Sequence, residues 1–419
     1  MEFIEILNAF EPKNHSAEID LTDESQNQDI EILANQLYSK SVSPEDLRSL
    51  ENQIIKFKEK YSLIQHTAVK IAISKKILSE IKQKIHFTIV FAVYKENNRI
   101  LTKAEHPNGE DFLIRKINQL ENLTEEFPLI SWDMIVVDDG CPENSGKIAE
   151  DILKKRYSGN NVKVLYLQDA IDKKLKIAEG LKTTDDSRKG GAVEYGMWHA
   201  AEKNIENHII IYTDADLSTH LGQIGLLAEP IIKDEKYAAI ASRREDTSVV
   251  IKEGTRNERG KLFIYLWKRM IRRLNYITDT QCGFKAFKAE VVKKIILNNF
   301  EKKFAFDIEL LIKIDKLKRQ SITIVPIAWI DSETESTTNE LQPYVDMLKS
   351  IAEMYFKYLP ANSFSHSFAY FVKSLDSKNW ELLVNHLPDG ILIKSAVHYD
   401  KYDEIKVPVF KDIIEKYTE

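Results

Sequence analysis

Six short apolar runs, most of them separated by helix-like segments, restrict this chain to a small set of folds. They are Phe87–Val93, Met134–Val137, Val162–Leu167, Ile209–Tyr212, Ala238–Ile240 and Ile322–Val325. Most are rich in β-branched or aromatic residues and too short for a helix, as expected of strands buried on both faces. Between them, Phe112–Glu126, Ser145–Arg156, Ala192–Lys203 and Leu221–Lys233 read as helices. The alternation predicts an α/β fold with a mostly parallel, doubly wound, Rossmann-like sheet flanked by helices. Such sheets bind ligands beyond the carboxyl ends of their strands, so polar residues there are the first candidates for function.

Two acidic clusters stand at such ends. Asp138-Asp139-Gly140 follows the second run, and Asp214-Ala215-Asp216 follows the fourth. Two carboxylates one residue apart suit a hard divalent cation, Mg²⁺ or Mn²⁺, shared with the phosphates of a nucleotide diphosphate.

The rest of the chain bounds the organisation. With 419 residues, 43% hydrophobic, it can bury one large core and still carry smaller appendages. A net charge of −6 argues against a general nucleic-acid binder, which needs a basic surface to displace counterions. No apolar run reaches the roughly 18–20 residues that cross a bilayer, and Met1-Glu2-Phe3-Ile4-Glu5 lacks a basic signal region. A cytoplasmic location, or the cytoplasmic face of the membrane, is expected. Cys141 and Cys282 are too few for a disulfide framework.

Ser43-Pro44-Glu45-Asp46 marks a helix start, and apolar residues from Leu47 to Ile77 recur at helical spacing. Residues 1–85 are therefore expected to be a helical region that packs or forms a homo-oligomer. Residues 86–342 form the sheet domain and residues 343–419 a mostly helical end, with Tyr344, Leu348, Ile351, Met354, Tyr355 and Tyr358 on one face and one short strand at Gly390–Ile393. Lys261–Tyr276 (KLFIYLWKRMIRRLNY) is a basic amphipathic stretch with two readings, a helix on an anionic membrane or a helix packed on the sheet.

Five stretches occur in order: Tyr94-Lys95-Glu96-Asn97-Asn98-Arg99-Ile100, Val136-Val137-Asp138-Asp139-Gly140, Lys189 to Met197 (KGGAVEYGM), Thr213 to Thr219 (TDADLST), and Asp279 to Phe287 (DTQCGFKAF). With them the chain resembles the family 2 inverting glycosyltransferases of GT-A fold, and within these the polyprenyl (dolichyl) phosphate glucosyl- and mannosyltransferases. The resemblance runs from about Phe87 to Ile330. It implies transfer of a hexose from a nucleotide diphosphate sugar, a UDP-sugar before a GDP-sugar, to a polyprenyl phosphate. It also implies donor contacts at Tyr94, Glu96, Asp138 and Asp139, with Tyr94 stacking on the base. The helix opened by Lys189-Gly190-Gly191, with Arg188, would face the diphosphate. Asp216 would be the principal metal ligand, Asp214 would serve ribose or metal, and Ala215 lies between them at the donor. Ser218 stands where mannosyl-type relatives often carry glutamine, which leans the donor to glucose.

Asp307, in Phe306–Leu311, matches the family segment that brings a carboxylate to the acceptor. For a hydroxyl acceptor it would be the general base. A phosphate acceptor is already anionic and needs cations instead, for which Arg243, Arg244, Arg256 and Arg259 are the candidates, while Gln281 is a further acceptor-binding candidate. Lys95 and Cys141 replace the family's common asparagine and serine. Gln168–Ser187 is longer than the family's usual link and reads as a lid or a partner-binding insertion. Two other functions remain open: a soluble transferase with a hydroxyl acceptor, and a non-catalytic scaffold that binds nucleotide sugars.

Overall fold

The computed structural model describes residues 2–10, 19, 20, 22–251, 256–330, 342–401 and 405–418. Helices α1 (Glu2–Ala9), α2 (Glu24–Lys40), α3 (Pro44–Ile54) and α4 (Leu63–Ser79) precede the sheet. α3 starts where its sequence predicts: Ser43 Oγ accepts the Asp46 N–H while the Asp46 carboxylate accepts the Ser43 N–H, and Pro44 fills the first turn. α4 is buried nearly all round, with Lys70 and Lys75 among its buried residues. It packs between α2, α3 and the sheet domain.

The alternating part follows as β1 (Ile85–Val93), α5 (Phe112–Thr124), β2 (Ile130–Asp138), α6 (Ser145–Arg156), β3 (Val162–Tyr166), α7 (Leu167–Asp172), α8 (Gly190–Ala201), β4 (His208–Thr213), α9 (Ile224–Lys233) and β5 (Ala238–Ser242). Then come β6 (Val249–Ile251), α10 (Arg256–Met270), β7 (Phe284–Lys288), α11 (Ala289–Ile295), α12 (Phe306–Leu317), β8 (Ile322–Pro326) and β9 (Ala328–Ile330). The main sheet has the order β3-β2-β1-β4-β7-β5-β8, and all its pairings are parallel except those of β7. β6 and β9 form a separate parallel pair.

Period-two alternation divides the core. Phe87, Ile89, Phe91, Ile209 and Ile211 face one side, where α2 to α5 and α9 cover them; Val90, Ile210 and Tyr212 face the other, against α8, α10 and α12. α8 approaches the strands closely because it carries Gly196, where a Cβ would stand 2.5 Å from Val90. The N-terminal helices thus complete one face of the sheet. The C-terminal helices α13 (Gln342–Tyr358), α14 (Ser363–Ser374), α15 (Ser377–Asn385), α16 (Asp389–Leu392) and α17 (Val407–Tyr417) join the core of the other.

One expectation is corrected, and one of the two readings of Lys261–Tyr276 is borne out. The strand at Gly390–Ile393 is the short helix α16: it follows Pro388, whose carbonyl accepts the Ile391 N–H, and the helical turn buries Ile391 while leaving Ile393 77% exposed. The basic stretch Lys261–Tyr276 does not form a free amphipathic surface. Leu262 to Ile271 are all buried, including Lys268 and Arg269, so α10 is a core helix. Within Gln168–Ser187, Ala170, Ile177 and Ala178 pack into the core beside α8. No described helix is long and apolar enough to cross a membrane.

Candidate active site

The carboxyl ends of β1, β2 and β4, the start of β7 and the first turns of α8 and α12 meet on one edge of the sheet. At the β1 and β2 end, Tyr94 follows the last residue of β1 and is 38% exposed. The Asp139 N–H donates to Val93 O at 3.1 Å, which ties the acidic turn to β1. Asp139 itself is buried; its Oδ2 accepts the Lys189 N–H at 2.7 Å, and its Oδ1 is buried with no hydrogen-bond partner. Burial pushes its carboxyl up to about 6, with Asp138 adding to the effect and Ser187 and the Lys189 N–H opposing it.

Two residues expected at the donor have partners within the protein. Asp138 Oδ1 accepts the N–H groups of Gly140 and Cys141, both at 2.9 Å, and Oδ2 accepts Gly146 N–H at 2.7 Å, so this carboxylate builds the turn and starts α6. Glu96 takes Arg99 in a two-pronged pair at 2.8 and 2.7 Å. Cys141 fills the hydroxyl's place without loss of contact, since its Sγ accepts Lys95 N–H at 3.1 Å.

At the β4 end, Asp214 is ion-paired with Lys189. Lys189 has φ 75°, a left-handed conformation that side chains resist, and it is fixed there by the bond to Asp139 and by the turn into α8. Asp216 Oδ2 lies 3.1 Å from Arg99 Nη1, while its Oδ1 accepts the Ser218 N–H at 3.1 Å and Oγ at 2.6 Å. Burial works to raise the Asp216 carboxyl, but Arg99 and Ser218 outweigh it and hold it low, so it is an anion at neutral pH. The Ala215 side chain points into the core, which leaves only its backbone for a donor.

Sequence reasoning passed over three charged residues behind this pair. Arg99 bridges Glu96 and Asp216. Glu110 accepts the Leu217 N–H at 3.1 Å, and burial together with Asp216 raises it to about 7. Lys116 is completely buried with no hydrogen-bond partner, and burial lowers it to about 8 against the pull of Asp216, Asp214 and Glu110. The glutamate three residues before Arg99 was a readable signal for the first; nothing in the spacing marks Glu110 or Lys116.

Asp214 and Asp216 fit a hard divalent cation by donor chemistry. Among the described residues no group of three or more metal-binding side chains exists, so the protein offers two carboxylates and the diphosphate and water would supply the other oxygens. Lys189 and Arg99 now balance the charge that the cation would meet.

At the acceptor end, Asp307 stands in the first turn of α12, 5% exposed. Its Oδ2 lies 3.3 Å from Lys285 Nζ, and its Oδ1 is buried without a partner. Burial pushes this carboxyl well up, with Lys189 opposing and Glu194 adding. Of the arginines, Arg243 is taken up by Asp279, to which its Nε and Nη2 donate at 2.8 and 2.7 Å, and it covers the Trp329 ring. That geometry leaves it a bracing role rather than a free phosphate ligand. Arg244 and Arg259 have no ion pair among the described residues, and the side chain of Arg256 lies outside them. Gln281 Nε2 is buried without a partner.

Residues 105–296 match the model of Glycosyl transferase family 2. A dolichyl-phosphate beta-glucosyltransferase of Dictyostelium discoideum is 26% identical over 285 residues, covering 66% of this chain and 75% of that protein. The enzymes of that name from Saccharomyces cerevisiae and Homo sapiens are 27% and 25% identical, covering 59% and 57% of this chain and 67% of each relative. Among solved structures, glucosyl-3-phosphoglycerate synthase of Mycobacterium tuberculosis with UDP aligns over 70% of this chain and 86% of its own, at 13% identity and a TM-score of 0.46. Over residues 105–296 the chain is similar to the glycosyltransferases of family 2. It is similar to the polyprenyl-phosphate glucosyltransferases.

Proposed function

We propose that the protein transfers glucose from UDP-glucose to a polyprenyl phosphate with inversion at the anomeric carbon. The observation that carries this reading is the chain of contacts from Asp139 through Lys189 to Asp214, which links a base-side carboxylate to the metal pair on one sheet edge. The names of the sequence relatives supply the donor sugar and the acceptor class.

Tyr94 and Asp139 hold the nucleoside, and Asp214 and Asp216 are the residues that would hold a Mg²⁺ or Mn²⁺ ion, which would supply positive charge to the departing diphosphate. Lys189 and the N-terminus of α8 face the same charge. An oxygen of the acceptor phosphate forms the new bond to the anomeric carbon as the bond to the β-phosphate oxygen breaks, and UDP leaves with that electron pair. Arg244 and Arg259, without an ion pair among the described residues, would attract the acceptor anion. Because the acceptor sits in a bilayer, this reading puts the enzyme at a membrane surface, and the buried α10 cannot make that contact.

A hydroxyl acceptor is the second reading, favoured by the partnerless Oδ1 of Asp307, which suits a proton acceptor. The deciding experiment offers UDP-glucose and GDP-mannose with Mg²⁺ or Mn²⁺ to a short polyprenyl phosphate and to glycerol- and sugar-type hydroxyl acceptors. A glucosyl lipid phosphate formed only from UDP-glucose bears the proposal out. Transfer only to hydroxyls refutes it.

A further inference from the structure

Lys285 is completely buried on β7. An ammonium in such a place needs compensating partners, because an unpaired buried charge is very costly. Here the partners come from three elements: Lys285 Nζ donates to Tyr212 Oη of β4 at 2.7 Å and to the Cys282 carbonyl at 2.6 Å, and it reaches Asp307 Oδ2 of α12 at 3.3 Å. Its stem lies along Tyr212, with Nζ 5.1 Å from the ring centre. The amine is therefore fixed in space before any substrate arrives.

We propose that Lys285 is the positioning residue for Asp307: its anchored ammonium pins Oδ2 and leaves the partnerless Oδ1 to face the acceptor. The proposal rests on the reading of Asp307 as the acceptor-side carboxylate, whatever the acceptor is. Around the pair, Lys189 and Glu194 act on Asp307, while Cys282, Asp279, Lys189 and Asp214 act on Lys285. Burial brings Lys285 down to about 7 and pushes the Asp307 carboxyl well up, and Lys189 bears on both. Removing the amine takes a positive charge away from a point 3.3 Å from Oδ2, where it favours the ionised Asp307 carboxyl. Its proton is then released at a higher pH, and the ionised fraction at neutral pH falls.

The test needs no substrate. The infrared band of the Asp307 carboxylic acid, identified as the one missing in Asp307→Asn, is titrated in wild type, Lys285→Met and Lys285→Arg. The band should disappear about one pH unit or more higher in Lys285→Met and stay near the wild-type midpoint in Lys285→Arg. Turnover in Lys285→Met at neutral pH should fall about tenfold and recover as pH rises, with the donor KM unchanged, whereas in the Asp307→Asn background the same change should cost about twofold at most. An unmoved midpoint in folded Lys285→Met, or an equal loss in the Asp307→Asn background, overturns the proposal. Should Lys285→Met fail to fold, Tyr212→Phe removes one anchor and must raise the midpoint by a smaller amount; no movement overturns it equally. Since the titration does not involve an acceptor, its failure is separate from any failure of the lipid-phosphate reading.

Discussion

The carbonyl of Gly283 accepts the Asp214 N–H at 3.0 Å, and a Cβ on Gly283 would stand 2.3 Å from the Asp214 carboxylate oxygens. The antiparallel pairing of Thr213 with Phe284 brings the two residues together, so a glycine is what lets β7 start directly beneath the first acid of the metal pair. Gly283→Ala should force Asp214 aside. The expected result is a loss of about 1–3 kcal/mol in thermal or urea unfolding, as for other overpacked sites, together with weaker cation-dependent UDP binding by calorimetry. Full UDP affinity with Mn²⁺ in this variant would show that Asp214 does not need its present place.

Asp216 is held as an anion by Arg99 and Ser218, which prepares it to meet a cation. Asp216→Asn keeps the shape and removes the charge. Turnover should be abolished, and wild-type enzyme in excess chelator should lose both turnover and tight UDP binding. Activity that survives either treatment rules out the metal role.

Asp139 accepts a stronger hydrogen bond from a base or ribose when ionised than when protonated. With its carboxyl raised to about 6 by burial, nucleotide affinity should weaken as pH falls through that value and level off once the group is protonated. Asp139→Ala and Tyr94→Ala should each weaken binding by ~1–3 kcal/mol at neutral pH, and the acid limb should vanish in the first. Titration curves that keep the limb in Asp139→Ala would assign it to another group.

Much of this site could be read from the chain because short polar motifs sit directly after strands, where the backbone leaves a side chain little choice of direction. Asp139, Lys189, Asp214 and Asp216 were found that way, as were the six runs that became strands of the main sheet. What escaped was decided by long-range packing. β7 was hidden in Phe284–Lys288, a run broken by two lysines, because Lys285 points into the protein and is paired there. Asp138 and Asp139 are adjacent and chemically identical; the α6 start takes up one, while the other accepts the Lys189 N–H and keeps a partnerless Oδ1. α10 looked amphipathic because Lys268 and Arg269 are charged, yet both are buried by C-terminal helices whose docking no local pattern announces. Ile391 to Ile393 read as a strand from composition alone, and Pro388 with Asp389 made a helical turn instead.

Acid should act on the fold through a buried imidazole. His208 is bound to Thr88 Oγ1 at 2.8 Å, and burial lowers its pKa to about 4, below the ~6.5 of an unfolded chain. Between those values the unfolded state takes up a proton that the native state refuses, so this residue's contribution is complete above the unfolded pKa and is lost as pH falls. Raised carboxyls such as Glu194, pushed by burial to about 7, work in the opposite direction, so the whole-protein curve does not isolate the effect. The difference from His208→Gln does. That difference should move by about 2 kcal/mol in the variant's favour between neutral pH and pH ~5, measured by urea unfolding. A constant difference would mean that His208 titrates normally.

The nature of the acceptor decides what Asp307 is for. A hydroxyl must give up its proton as the new bond forms, and the partnerless Oδ1 of Asp307 would take it, so Asp307→Asn should cost about 10²–10⁴ in turnover. A lipid phosphate carries its negative charge into the site. The same change should then be milder, while Arg244→Gln should raise the acceptor KM sharply and leave the donor KM unchanged, because Arg244 has no carboxylate to occupy it among the described residues. Salt should weaken acceptor binding in wild type more than in Arg244→Gln, since screening removes what the charge contributes. The proposed function requires the second pattern. A dead Asp307→Asn with an unaffected Arg244→Gln would transfer the assignment to a hydroxyl acceptor.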